Sequence, residues 1–319
     1  MGRVRRYFRV RQLQTTLKTS VTFTGTGLHS GRLVRMRLLP ASAEYGIWFR
    51  RTDVRDGDTM IAARWDNVVA SELCTKISNA DGVEVSTIEH IMAAVAGTGL
   101  NNVLIEIDGP EVPILDGSAA PFVSGILARG LMRLEAPSRA IEILKPVEVR
   151  RGDATARLVP SEGYHMSFTI DFDEKAIGRQ ERHIDLSNGA FVRELCDSRT
   201  FCRQQDVDAM RERGLALGGT LENAVVVDGA DVLSPGGFRH VDEAVRHKML
   251  DALGDLLLAG APLLGHYEGD RAGHALTNHL LRALFADPEA FRMVICDDAT
   301  AARLPGVGIS RADVPRVAA

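Results

Sequence analysis

The sequence predicts an α+β fold in two domains, and three observations carry that expectation. Its 319 residues exceed one ordinary domain. Short runs in which apolar and polar residues alternate, the period of half-buried strands, dominate its first half. Its helical patterns are grouped among the strands instead of alternating with them one for one, which disfavours a doubly wound parallel sheet.

Element by element, SVTFTGTGLHSGRLVRMRLLP (20–40) alternates on both sides of a Gly-rich turn and reads as a hairpin-like pair. STIEHIMAAVAGTG places Ile88, Ile91, Met92 and Val95 on one helical face, with Gly97 as the stop. GLNNVLIEIDG, from Gly99, is a strand. EVPILDGSAAPFVSGILARGL offers Ser118 as N-cap, Pro121 in the first turn and Gly130 at the end of a second helix. EAPSRA, around Pro137, reads as the linker. Strands follow near Ile141–Val149, Ala154–Leu158 and Tyr164–Phe172, then a helix near Gly189–Cys196. RQQDVDAMRERGLALGG gives a helix closed by Gly214, and LENAVVVDG a strand. VDEAVRHKMLDALGDLLLAG is the longest helical pattern, and HALTNHLLRALFAD the last major helix. No repeat period is legible.

Composition excludes several classes. Hydrophobic residues at 45% and charged residues at 25% are the balance of a globular chain with a core of its own. A net charge of -4 gives no bulk attraction for nucleic acid, and 5% aromatics make no stacking platform for single strands. No apolar run reaches the ~18 residues that span a bilayer. Cys74, Cys196, Cys202 and Cys296 form no CxxC pair and read as reduced thiols of a cytoplasmic protein. MGRVRRYFRVRQ carries five arginines without an apolar signal core, so it reads as a basic arm.

Three stretches could carry chemistry. In VRHKMLDALGD, His247, Asp251 and Asp255 share one helical face, opposite Val245, Met249, Ala252, Leu253, Leu256 and Leu257. That face reads either as solvated charge or as two ligands for a metal. Gly254, costly inside a helix, points to a close approach there. In STIEH, Ser86 and Glu89 have the spacing of a capping box; alternatively His90 is a ligand and Glu89 a base beside the metal. AGHALTNH places His274 at the start of a helix, and TGLHSG places His29 in a turn. His90, His247 and Asp251 together would leave one position open for water, as in a catalytic zinc site. Spacing alone does not bring segments so far apart together.

The segments TGTGLHSG, STIEHIMAAVAGTGLNN, EVPILDGSAAPF, FTIDF, SRTF, RGLALGGT, VRHKMLDALGD and GHAL, taken in order, resemble the UDP-3-O-acyl-N-acetylglucosamine deacetylases. These are the zinc enzymes of the committed step of lipid A synthesis. The resemblance implies Zn2+ on His90, His247 and Asp251, a set that also accepts Fe2+. It makes Glu89 the general base and His274 the group that steadies the oxyanion and protonates the amine. Asp255 would orient His274, Thr200 would face the intermediate, and Lys248 would contact substrate. Phe201, Gly219 and Thr220 match positions near sugar and acyl chain, Leu28 and His29 the mouth of the site, and Cys74 a position close to the zinc.

The implied fold is two α+β sandwiches of similar topology, residues 12–136 and 140–305, with helices between two sheets. A βαβ insert, about 199–229, would wall an acyl passage with Val207, Met210 and Leu215. The implied partner is the UDP-sugar substrate, with no nucleic acid, transmembrane segment or obligate protein partner. Two departures stand out: Cys202 follows SRTF where glycine is expected. Val159 stands where a lysine for the diphosphate is expected, leaving Lys248 as the basic contact. Two rivals remain, a non-catalytic acyl-lipid or nucleotide-sugar binder and a zinc amidase with another substrate.

Overall fold

A computed structural model describes residues 12–315. The Arg-rich start, Met1 to Arg11, lies outside the described residues.

The first half opens with β1 (Leu13–Leu17), β2 (Val21–Thr26), β3 (Leu33–Pro40), β4 (Ile47–Arg51) and β5 (Met60–Ala62). A small antiparallel sheet follows, β6 (Val68–Val69), β7 (Lys76–Ser78) and β8 (Glu84–Ser86). Then come α1 (Glu89–Thr98), β9 (Val103–Ile107), α2 (Ala120–Arg129) and β10 (Leu131–Pro137). The second half runs β11 (Arg139–Ile143), β12 (Val147–Arg151), β13 (Ala154–Val159), β14 (Tyr164–Asp171) and β15 (Arg179–Asp185). Next are β16 (Phe201–Arg203), α3 (Gln204–Glu212), β17 (Val225–Asp228) and β18 (Asp231–Val232). The chain continues with α4 (Glu243–Leu256), β19 (Leu263–Asp270), α5 (His274–Ala286), β20 (Phe291–Ile295) and α6 (Asp298–Ala301).

One topology occurs twice. The first sheet has the order β2-β3-β9-β4-β5, with β9 antiparallel to β3 and parallel to β4. In the second, β12-β13-β19-β14-β15 repeats that order and those directions, and β11 and β20 extend it from the start of β19. A helix precedes each central strand (α1, α4) and another follows it (α2, α5). The fold is therefore α+β, with two similar sheets and helices between them.

Strand alternation decides which face is covered. Val34, Met36 and Leu38 of β3 point inward while Arg35 and Arg37 point out; Tyr164, Met166, Phe168 and Ile170 do the same on β14. These faces close on α1 and α4, which pack against each other and belong to one continuous core. A Cβ on Gly254 of α4 would fall 2.0 Å from the Glu89 carbonyl oxygen, so only glycine lets α4 approach α1 this closely. That crossing is what brings the two halves' polar residues together.

Several expectations change. Gly97 does not stop the first helix. The chain continues to Thr98 and ends on Gly99 with φ +69°, while Gly97 packs where a Cβ would meet the Phe191 ring. Ser118 is not the N-cap of α2; Ala119 is, and the Ser118 hydroxyl donates to Asp116. EAPSRA is the junction of the two halves, and a tight one. Pro137 ends β10, Arg139 begins β11, and the buried Ser138 between them is held by Gln12 and Cys296. The stretch near Gly189–Cys196 contains a π-helical turn, Phe191–Leu195. The insert forms the expected parallel β16-α3-β17 unit, and β18 extends its sheet to Val232.

Candidate metal centre and active site

The capping-box reading of STIEH fails for a backbone reason. Ser86 belongs to β8 and its hydroxyl donates to the Pro110 carbonyl at 3.2 Å. Thr87 then turns the chain with φ +57°, and α1 starts at Glu89. Glu89 is thus not occupied with the helix end; its Oε2 accepts from the Thr75 backbone N–H at 3.0 Å. Burial raises its pKa, against the pull of His274 and His90.

The solvated reading of the His247 face fails too. α4 lies between the sheets, and His247, Asp251 and Asp255 are all at least 95% buried. His247 Nδ1 donates to the Ser198 carbonyl at 3.0 Å, which leaves Nε2 as the lone-pair nitrogen. Burial pushes this imidazole down to about 4, so it is neutral at pH 7 and able to ligate. His247 Nε2 lies 3.3 Å from Asp251 Oδ1, and His90 Nε2 lies 3.5 Å from the same oxygen. The two rings stand 5.0 Å apart, nearly perpendicular, and the three donor atoms fall within 4.8 Å of one another.

Asp251 tests whether the set suits a metal. Its Oδ2 accepts from Lys248 Nζ at 3.0 Å, but its buried Oδ1 has no hydrogen-bond partner. Burial favours a protonated carboxyl, yet His247 and Lys248 outweigh it and hold the pKa well below the usual range. An orphaned carboxylate oxygen facing two imidazole nitrogens is costly without a cation between them. The donor set fits a divalent ion such as zinc.

Asp255 extends one turn further and accepts from His274 Nδ1 at 2.8 Å, while the Thr75 hydroxyl donates to its other oxygen. Burial works against charge on His274, but Asp255 and then Glu89 overcome it and raise the pKa to about 9. His274 Nε2 comes within 4.0 Å of Glu89 Oε1. A proton-accepting carboxylate and a cationic imidazole therefore flank the donor set.

Part of this cluster opens onto a cavity of about 810 Å3. His247, Asp251 and His274 line it together with Thr200, Phe201, Lys248, Gly219 and Thr220, and with Leu28 and His29 from the first half. Val207 and Met210 of α3 line it, as does Ala216, whereas Leu215 does not. Cys202 also faces the cavity. Cys74 does not line it: it is buried beside Ser71, and burial, reinforced by Glu89, raises the thiol to about 11. Sequence reasoning missed Thr75 and the Ser198 carbonyl. Thr75 lay unremarked beside Cys74, and a backbone acceptor leaves no residue-type signal.

Taken together, the buried donor set, the carboxylate and imidazole beside it and the largely apolar cavity have the layout of a metal-dependent hydrolase. The family model for UDP-3-O-acyl N-acetylglycosamine deacetylase matches residues 14–286. A UDP-3-O-acyl-N-acetylglucosamine deacetylase from Phenylobacterium zucineum (strain HLK1) is 49% identical over 280 residues, covering 88% of this chain and 96% of the relative. Enzymes of the same name are 46% identical over 286 residues in Stenotrophomonas maltophilia (strain R551-3) and 45% over 287 in Pasteurella multocida (strain Pm70). Each alignment covers 89% of this chain and 94% of the relative. The chain belongs to the UDP-3-O-acyl N-acetylglycosamine deacetylase family. It is accordingly a hydrolase acting on an amide. Among the described residues no helix is long and apolar enough to cross a membrane.

Proposed function

We propose that this chain removes the N-acetyl group of UDP-3-O-acyl-N-acetylglucosamine, releasing acetate in lipid A biosynthesis, with zinc held by His90, His247 and Asp251. The observation that carries the reading is the unpartnered Asp251 Oδ1, buried between two imidazole nitrogens and flanked by Glu89 and His274. When bound, zinc would acidify a water towards neutral pH and polarise the acetyl carbonyl.

The chain's own residues do the rest. Glu89, fixed by the Thr75 N–H and raised in pKa by burial, takes a proton from the attacking water. His274, cationic at neutral pH, places positive charge and its Nε2 proton against the developing oxyanion and then the departing amine. The Thr200 hydroxyl adds a donor from the cavity wall. Asp255 keeps Nδ1 protonated so that Nε2 carries the transferable proton. Lys248, Phe201, Gly219 and Thr220 contact the sugar, Leu28 and His29 the entering substrate, and the wall built by α3 takes the acyl chain. Cys74, set back from the cavity, packs beside Glu89 as a protonated thiol and does not ligate.

We read residues 12–136 and 140–305 as the two units, and place the enzyme in the cytoplasm, where its four free thiols stay reduced. The test is metal analysis with a deacetylation assay on the UDP-sugar. Near wild-type turnover by zinc-loaded Glu89→Ala or His274→Ala would show these roles to be wrong.

A further inference from the structure

Glu111, in the stretch EVPI, lies outside the catalytic cluster, yet its side chain is buried and ties three separate pieces of the site together. Its Oε1 accepts from the His29 backbone N–H at 2.8 Å and from the Thr87 hydroxyl at 2.9 Å. Its Oε2 accepts from the Ser30 backbone N–H at 2.8 Å. Such charge-assisted bonds are the strong ones, and here one carboxylate makes three.

Each partner matters to the reaction. Thr87 holds left-handed backbone (φ +57°) two residues before Glu89, so its geometry sets where α1 begins and where Glu89 points. His29 and its neighbour Leu28 line the cavity. Their carbonyls accept from Leu217 and Gly218, which join the insert to the mouth. The fit is close: a Cβ on Gly27 would fall 2.4 Å from Glu111 Oε2, and one on Gly218 would fall 2.3 Å from the Gly27 carbonyl oxygen. From the insert through the mouth loop and Glu111 to the first turn of α1, the contacts are continuous.

Resting on the functional reading above, we infer that Glu111 is a positioning residue: it holds the mouth loop in register with the catalytic helix, so that substrate seated on Leu28 and His29 meets Glu89. Its two arms are separable. In Glu111→Gln the amide has a single acceptor oxygen, and either orientation sets an NH2 against a loop N–H. The Thr87 hydroxyl can reverse and accept instead, so the mouth loosens while the helix arm survives. In Thr87→Val the helix arm is lost while both loop N–H groups keep their carboxylate acceptors.

The experiment compares full-length, zinc-loaded wild type, Glu111→Gln and Thr87→Val by steady-state kinetics on the acylated UDP-sugar, metal content and thermal unfolding. Glu111→Gln should raise KM by ~10-fold or more with kcat little changed. Thr87→Val should lower kcat by ~10-fold with KM nearly constant. Metal content should not change in either. Variants that lose only thermal stability, with wild-type KM and kcat, overturn the inference, because a merely structural role predicts that result. Should Glu111→Gln not fold, Thr87→Val decides alone, and wild-type kcat in it overturns the inference. Absence of turnover by the wild type overturns the functional reading and this inference together; normal wild-type turnover with unaltered variants overturns the role of Glu111 only.

Discussion

Replacing Asp255 by asparagine should move the alkaline limb of the pH–rate profile without dismantling the site. On the proposed mechanism His274 acts as a cation, with its pKa raised from 6.5 to about 9 against burial by Asp255 first and Glu89 second. The sign follows: the active imidazolium is fully present below the raised pKa and is lost as pH climbs through about 9. The span corresponds to roughly 3 kcal/mol favouring the charged ring. Asp255 supplies both the largest attraction and the 2.8 Å hydrogen bond, so its loss should lower the limb more than the loss of Glu89 would. Asparagine keeps the volume and an acceptor oxygen for Nδ1–H, and its NH2 can donate to the Thr75 hydroxyl once that group turns round. With the limb lowered by about 1.5 pH units, the fraction of His274 protonated at pH 8 falls from ~90% to ~25%, and at pH 9 from ~50% to ~3%. At pH 6.5 the two enzymes should nearly agree. The assay is kcat of zinc-loaded enzyme across pH 5.5 to 10. A uniformly slower variant whose alkaline limb stays near 9 would refute the reasoning, since His274 would then owe its charge to something else.

Other outcomes follow from the same geometry. Gly254→Ala forces a methyl to within 2.0 Å of the Glu89 carbonyl. The ~1 kcal/mol gain in helix propensity should be outweighed by ~1–3 kcal/mol of overpacking, read as a lower melting temperature with reduced kcat. Chelation should abolish turnover and destabilise the fold, because Asp251 Oδ1 is left unpaired; zinc at 100 times its Kd should restore about 2.7 kcal/mol, measured by thermal shift. Met210→Trp, on the α3 wall, should raise KM ~10-fold for long-chain substrate and leave a short-chain analogue unaffected, checked by kinetics on both.

How much of this was legible in sequence depended on whether the information was local. The strands of the first half, the α4 apolar stripe and the close approach at Gly254 follow from side-chain period and residue size. The duplicated sheet did not show as a repeat because the two halves share strand order and direction, which tolerate any residues that alternate correctly. His247, Asp251 and Asp255 suggested a solvated stripe because a helix's own sequence cannot say whether a second sheet covers its polar side. STIEH suggested a capping box because spacing carries no φ: left-handed Thr87 pulls Ser86 into β8 and out of reach. Family resemblance supplied what spacing could not, the pairing of His90 with His247. Even so, it left Glu111, Thr75 and the Ser198 carbonyl unnoticed, since each makes at least one of its bonds to the site through a backbone group, which leaves no spacing of residue types to read.

The two halves contribute unlike charges to one place, and helix ends explain why Asp255 is needed. Glu89 stands at the start of α1 and His274 at the start of α5, so both sit where the helix dipole is positive. That field supports the Glu89 carboxylate against burial but opposes a proton on His274. A histidine there without a counter-charge would be neutral at pH 7, as the buried His247 is. Asp255 comes from the last turn of α4, where the helix end is itself negative, so its charge is held by the Thr75 hydroxyl and by the His274 ring. The carboxylate reverses the sign of the local field at His274 while leaving Glu89, 4.0 Å away from the ring, free to accept a proton. On the proposed mechanism, one positive helix end thus serves a base, and the other serves an acid only because α4 delivers an anion to it.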